Sequence, residues 1–71
     1  MATRWDTIEV RFGNRVRELR MLSHYTQEEL ASAAQLHRNY VSDLERGVRN
    51  VSLRTIEKLA QALCVEIREL F

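Results

Sequence analysis

Apolar side chains recur along this chain at intervals of three and four residues, the spacing of one face of an α-helix, and nothing in it resembles a strand. Ile8, Phe12, Val16 and Leu19 form the first such stripe. They predict an amphipathic helix from about Asp6 to Leu22, with Arg11, Arg15 and Glu18 on its outer face. Asp6 is a suitable N-cap, Trp5 ahead of it is either a staple or a loose anchor, and Gly13 weakens the helix slightly.

Ser23 to Tyr25 must then turn the chain into a second helix, whose start is marked by Thr26 and Glu29. In such a T-x-x-E capping box each side chain bonds the other residue's backbone N–H, and Tyr25 and Leu30 stand around it at hydrophobic-staple spacing. The first helical residue is therefore Gln27. Leu30, Ala31 and Ala34 face inward, and the alanines let a neighbouring helix approach closely. Leu36 and Val41 repeat the staple spacing around His37, a weaker cap than Ser or Asp, so a third helix starts at Arg38 after a turn near Gln35.

At about 100° per residue, Val41 and Leu44 of that third helix point one way, while Arg38, Asn39, Ser42, Asp43 and Arg46 point the other. Gly47 suits a left-handed stop, and the polar run to Asn50 is a loop facing solvent or phosphate. Ser52 caps a fourth helix with Val51 and Ile56 at staple spacing and a buried stripe of Ile56, Leu59, Ala60 and Leu63. Val65 and Leu70 bracket Glu66 in the same way, which predicts a last short helix, IRELF, running to Phe71.

Composition narrows what these elements can build. A chain of 71 residues has room for one small domain with a marginal core, which needs well-formed helix packing or association, and a dimer is expected on those grounds. Hydrophobic content of 45% and charged content of 30% fit a soluble domain. No apolar run approaches the roughly 18 residues of a membrane span, and the N-terminus does not resemble a signal peptide. The single cysteine, Cys64, cannot form an internal disulfide, so the cytoplasm is the expected location and a small buried apolar residue its expected role.

Catalysis finds no support. His24 and His37 fall in a turn and at a helix start without the cysteine or carboxylate set of a metal site, and no nucleophile has a recognisable partner, so neither metal nor cofactor is expected. Net charge is +1 with a pI near 8.0, below the value of about 9 that marks an overtly basic nucleic-acid domain. Any DNA surface must therefore be a local patch; Arg4, Arg11, Arg15, Arg17 and Arg20 make the N-terminal third the most basic part.

A solvated helix would also be polar on its outer face, so arrangement has to decide. Two short helices over about 26–46, the second presenting Arg, Asn and Ser outward, match a helix-turn-helix, which lays its second helix in the DNA major groove. The segment TQEELASAAQLHRNYVSDLERGVRNVSLRTIEKLAQAL resembles the Cro/CI-type (XRE) helix-turn-helix family of bacterial and phage regulators. Within it, LHRNYVSDLERGVRNVSL is most similar to the small controller proteins of restriction-modification systems.

The resemblance implies a single all-α domain over 1–71, a compact five-helix, lambda-repressor-like bundle whose second and third helices form the motif and whose last helices, about 52–71, supply a dimer interface. The implied partners are a double-stranded, pseudo-palindromic operator and a second copy of the chain, with RNA polymerase a further partner of a promoter-bound regulator. Controller proteins typically regulate their own gene and the adjoining endonuclease gene. A phage-type repressor is the nearer alternative, and an antitoxin-like protein-interaction module, which the near-neutral charge allows, is the rival from another class. The family often places glycine after a helix where this chain has His24, Gln35 and Cys64, so positive φ is expected at residue types that adopt it less readily, least so at Gln35 and Cys64.

By position in the motif, Arg38, Asn39, Ser42, Asp43 and Arg46 are the candidates at base edges. Arg38 can donate two hydrogen bonds to guanine and Asn39 can read adenine, while Asp43, with the wrong charge for phosphate, can accept from cytosine, orient an arginine or exclude a wrong base. Gln27, Tyr40, Arg49, Asn50 and Ser52 are candidates for the phosphate backbone, with a core role as the alternative for Tyr40. Arg20 and Glu45 stand where the family often has a partly buried ion pair. Ile67, Leu70 and Phe71 are candidates for a dimer interface, with packing inside one chain as the alternative.

Overall fold

A computed structural model describes residues 7–71, and every regular element within them is helical: α1 (Ile8–Leu22), α2 (Gln27–Ala34), α3 (Arg38–Glu45), α4 (Leu53–Leu63) and a closing 3-10 turn (Ile67–Leu70). The fold is thus the expected all-helical one, with a correction at its end. The expected fifth helix is a single 3-10 turn, capped by reciprocal bonds between Glu66 and Glu69. A four-residue element closes too few hydrogen bonds to sustain an α-helix by itself, so packing holds it.

Each start agrees with its capping chemistry. Thr26 N–H donates to Glu29 Oε1 at 2.8 Å and Glu29 N–H donates to Thr26 Oγ1 at 3.0 Å, so α2 begins at Gln27. Asn39 N–H donates to His37 Nδ1 at 3.1 Å, which begins α3 at Arg38. At α1 the cap is Thr7, whose hydroxyl accepts from Val10 N–H at 3.2 Å, rather than Asp6. Arg4, Trp5 and Asp6 lie outside the described residues.

α3 packs against α1 and α2, α2 against α4, and the closing turn against α4 and α1. Leu30, Val41, Leu44, Leu59, Val16 and Leu70 are fully buried at the centre, each contributing about 1.5–3 kcal/mol relative to exposure. Ile8 departs from the expected stripe: it stands on the first turn of α1 and is exposed. Gly13 has a role that helix propensity does not disclose. Its α-carbon lies so close to α3 that an added Cβ would fall 2.9 Å from the Glu45 carbonyl oxygen and closer still to that of Leu44.

His24, Gln35 and Cys64 all adopt left-handed conformations, with φ of 60°, 57° and 57°, as the missing glycines implied. The strain is offset by the turns it allows: Leu36 N–H donates to Ala31 O at 2.8 Å and Val65 N–H to Ala60 O at 3.0 Å, so the chain reverses with its carbonyls satisfied. Cys64 is exposed, contrary to expectation, because the left-handed C-cap of α4 directs its side chain away from the core.

Candidate nucleic-acid interface

The two motif helices are locked by a single buried carboxylate. Glu45, at the end of α3, accepts from Arg20 Nε at 2.7 Å, from Arg20 Nη2 at 3.1 Å and from the Gln27 amide at 3.1 Å. Arg20 Nη1 also donates to the Tyr25 carbonyl at 2.8 Å, so one guanidinium ties α1, the turn before α2 and α3 together. The expected Arg20–Glu45 pair is present and largely shielded from solvent, with side-chain exposures of 13% and 3%. Gln27, expected at a phosphate, gives an amide N–H to this internal network.

Opposite the Val41 and Leu44 face, α3 presents the five residues expected at base edges. Arg38, Asn39 and Arg46 are exposed and Ser42 and Asp43 half-buried. Arg38 and Asn39, on the first turn, have no side-chain ion pair or hydrogen bond among the described residues, leaving guanidinium and amide available to a ligand.

Of the residues expected at phosphates, Arg49, Tyr40 and Ser52 are linked through Asp43, Arg46 and Thr55 instead of standing as independent arms. Asp43 accepts from Arg46 Nη2 at 3.5 Å and from Arg49 Nη2 at 3.1 Å. The Arg49 guanidinium carbon sits 4.4 Å from the centre of the Tyr40 ring, within cation–π range. The Tyr40 hydroxyl is 3.4 Å from Thr55 Oγ1, and the Tyr40 ring packs on the core. Asn50 is exposed. Ser52, expected at a phosphate, caps α4: its hydroxyl donates to Thr55 Oγ1 at 3.1 Å while accepting from Thr55 N–H at 3.1 Å.

A helix-turn-helix family model matches residues 16–70, spanning α2, the turn, α3 and most of the supporting helices. The chain belongs to the XRE-type helix-turn-helix family. It is a family of DNA-binding regulators rather than of enzymes. This XRE-type chain is 48% identical over 66 residues to the control protein C.BamHI of Bacillus amyloliquefaciens, covering 92% of the chain and 82% of the relative. Its backbone is similar to the restriction-modification controller protein C.AhdI of Aeromonas hydrophila, with TM-score 0.87, 56% identity and coverage of 89% and 96%. It is also similar to the regulator SinR in complex with DNA, with TM-score 0.80, 32% identity and coverage of 83% and 95%. No helix among the described residues is long and apolar enough to cross a membrane.

At the other end of this XRE-type domain, the three residues expected at a dimer interface divide. Leu70, expected at the interface, is instead a core residue: it is 0% exposed and packs between α1 and α4, so the alternative of packing inside one chain holds for it. Ile67 and Phe71 remain exposed, Phe71 at 62% with its ring centre 5.3 Å from that of Phe12. Around Phe71 stand the exposed Leu53 and Ile8, giving an apolar patch to which Ile8 was not expected to belong. Sequence reasoning also missed that Arg15 Nε donates to the Glu69 carbonyl at 2.7 Å and that Arg15 pairs with Glu18, which anchors the closing turn to α1.

Proposed function

We propose that the chain is a sequence-specific DNA-binding transcriptional regulator, a dimeric controller protein of a restriction-modification system that acts on a pseudo-palindromic operator at its own promoter. The observation that carries this reading is the outer face of α3, where Arg38 and Asn39 stand exposed on a helix held at both flanks by the buried Glu45. Arg38, Asn39 and Ser42 face base edges in the major groove, while Gln27, Tyr40, Arg46, Arg49 and Asn50 lie toward the flanking phosphates. Similarity to C.BamHI and C.AhdI supports the controller role. RNA polymerase is the partner through which a promoter-bound dimer would act.

The dimer is built on the patch of Ile8, Leu53, Ile67 and Phe71, large apolar side chains that are exposed among the described residues and that a second copy would bury. Selection from a pool of random duplexes tests both parts. The expected product is one enriched sequence in two inverted half-sites, because a two-fold protein reads a two-fold site. An enriched site without an inverted repeat would overturn the dimer. Failure to enrich any sequence at low salt would overturn sequence reading and favour a protein-interaction module.

A further inference from the structure

Resting on that reading of α3 as a DNA-facing helix, we infer that Asp43 restrains non-specific DNA binding: its carboxylate occupies the place of a phosphate between Arg46 and Arg49. A carboxylate in the middle of a surface meant for a polyanion needs a reason, and fold stability does not supply one. The Asp43 side chain is 33% exposed and those of Arg46 and Arg49 are 67% and 42% exposed, and ion pairs so solvated contribute little to folding.

Geometry favours the arginines over a base as the object of Asp43. One oxygen faces Arg46 Nη2 at 3.5 Å and the other faces Arg49 Nη2 at 3.1 Å, so both are engaged before DNA arrives. Arg49 is held from its other side as well, 4.4 Å over the Tyr40 ring, whose hydroxyl reaches Thr55 on α4. The loop that leaves α3 is thereby folded back on it, and two guanidiniums converge on one anion. Their arrangement is that of a phosphate clip already filled by an internal carboxylate.

The consequence falls on non-specific binding, because that binding is almost wholly the neutralisation of phosphates. Each arginine engaged with Asp43 must exchange one anion for another before it helps to hold a duplex. In the operator register, base contacts hold α3 in place with Asp43 still between its two arginines, so the restraint weighs less there. Asp43 is accordingly a positioning residue that sets specificity without reading a base.

The test is Asp43→Asn, which keeps shape and removes charge, with binding to a scrambled-sequence duplex followed from about 50 to 200 mM salt. The expected result is tighter scrambled-duplex binding, by roughly tenfold near 0.1 M salt for each arginine released, and a steeper salt dependence, with slope changed by about 0.9 per added phosphate contact. Both changes should vanish when Asp43→Asn is made in an Arg46→Ala/Arg49→Ala background. Their persistence there would reduce the effect to bulk charge and overturn the inference. It is overturned equally if Asp43→Asn leaves scrambled binding unchanged and weakens a selected site at one base pair, which would make Asp43 a base reader. An unaltered protein that binds no duplex at low salt would overturn the DNA-binding reading, and this inference with it.

Discussion

Replacing Arg20 by alanine should cost about 3–5 kcal/mol of folding stability, a large share of what a domain of this size has. The loss does not measure what the ion pair adds, because the desolvation of two charges offsets much of their attraction. It measures what is left behind. Glu45, 3% exposed in the intact pair, would keep the Gln27 amide as its remaining donor, and the Tyr25 carbonyl would lose its bond from Arg20. Arg20→Ala with Glu45→Ala should be less damaging than the sum of the two single changes, since the double variant buries no orphan charge. Urea denaturation followed by circular dichroism gives the answer, and a midpoint for Arg20→Ala equal to the parent's would remove Glu45 from its place as keystone of the motif.

Gly13→Ala sets two effects against each other, and their magnitudes decide the outcome. Alanine is the better helix former by about 0.8–1.0 kcal/mol, so propensity alone forecasts stabilisation. The new Cβ, however, would lie 2.9 Å from the Glu45 carbonyl oxygen and nearer to that of Leu44, and both are backbone atoms of α3 that no rotamer change can move. Overpacking typically costs about 1–3 kcal/mol, and backbone on both sides puts this site at the upper end. The expected net result is destabilisation of roughly 2 kcal/mol, with α3 pushed away from α1. A raised melting temperature would show that the two helices have slack between them. Because Glu45 sits on the same turn of α3, Gly13 and Arg20 together fix how far the recognition surface stands from the body of the domain.

Local chemistry was legible in the sequence where one element carries all of it. The Thr26–Glu29 box, the Ser52 cap and the stripe of Ile56, Leu59, Ala60 and Leu63 each lie within one helix, and the structure places them as their spacing requires except that Ile56 is only half-buried. What spacing could not express was contact between distant segments. The inward turn of Leu70, the exposure of Ile8 and the bond from Arg15 to the Glu69 carbonyl depend on where α1 meets the chain end. Gly13 looks like a defect in α1 until α3 is laid across it. The left-handed Gln35 and Cys64 would have been missed by propensity, and were reached through the family resemblance.

The site was legible as a list and not as a mechanism. The helical period of α3 placed Arg38, Asn39, Ser42, Asp43 and Arg46 on one face, which is their arrangement in three dimensions. It could not show that Asp43 is engaged with Arg49, six residues away across the loop, or that Ser52 is committed to its own helix. These pairings change what the residues can do. Arg38 and Asn39 are left as the side chains free to read a base, and Arg46 and Arg49 as arms that must first release an internal anion.

The most direct test of the central claim, that side chains of α3 read bases, is binding by Arg38→Ala to a selected site and to each of its single-base-pair variants. The account predicts a loss of about 1–3 kcal/mol on the parent site, with discrimination relaxed at one guanine position in each half-site and kept elsewhere. A uniform loss across all sequences, with a shallower salt dependence, would instead assign Arg38 to a phosphate and contradict the claim.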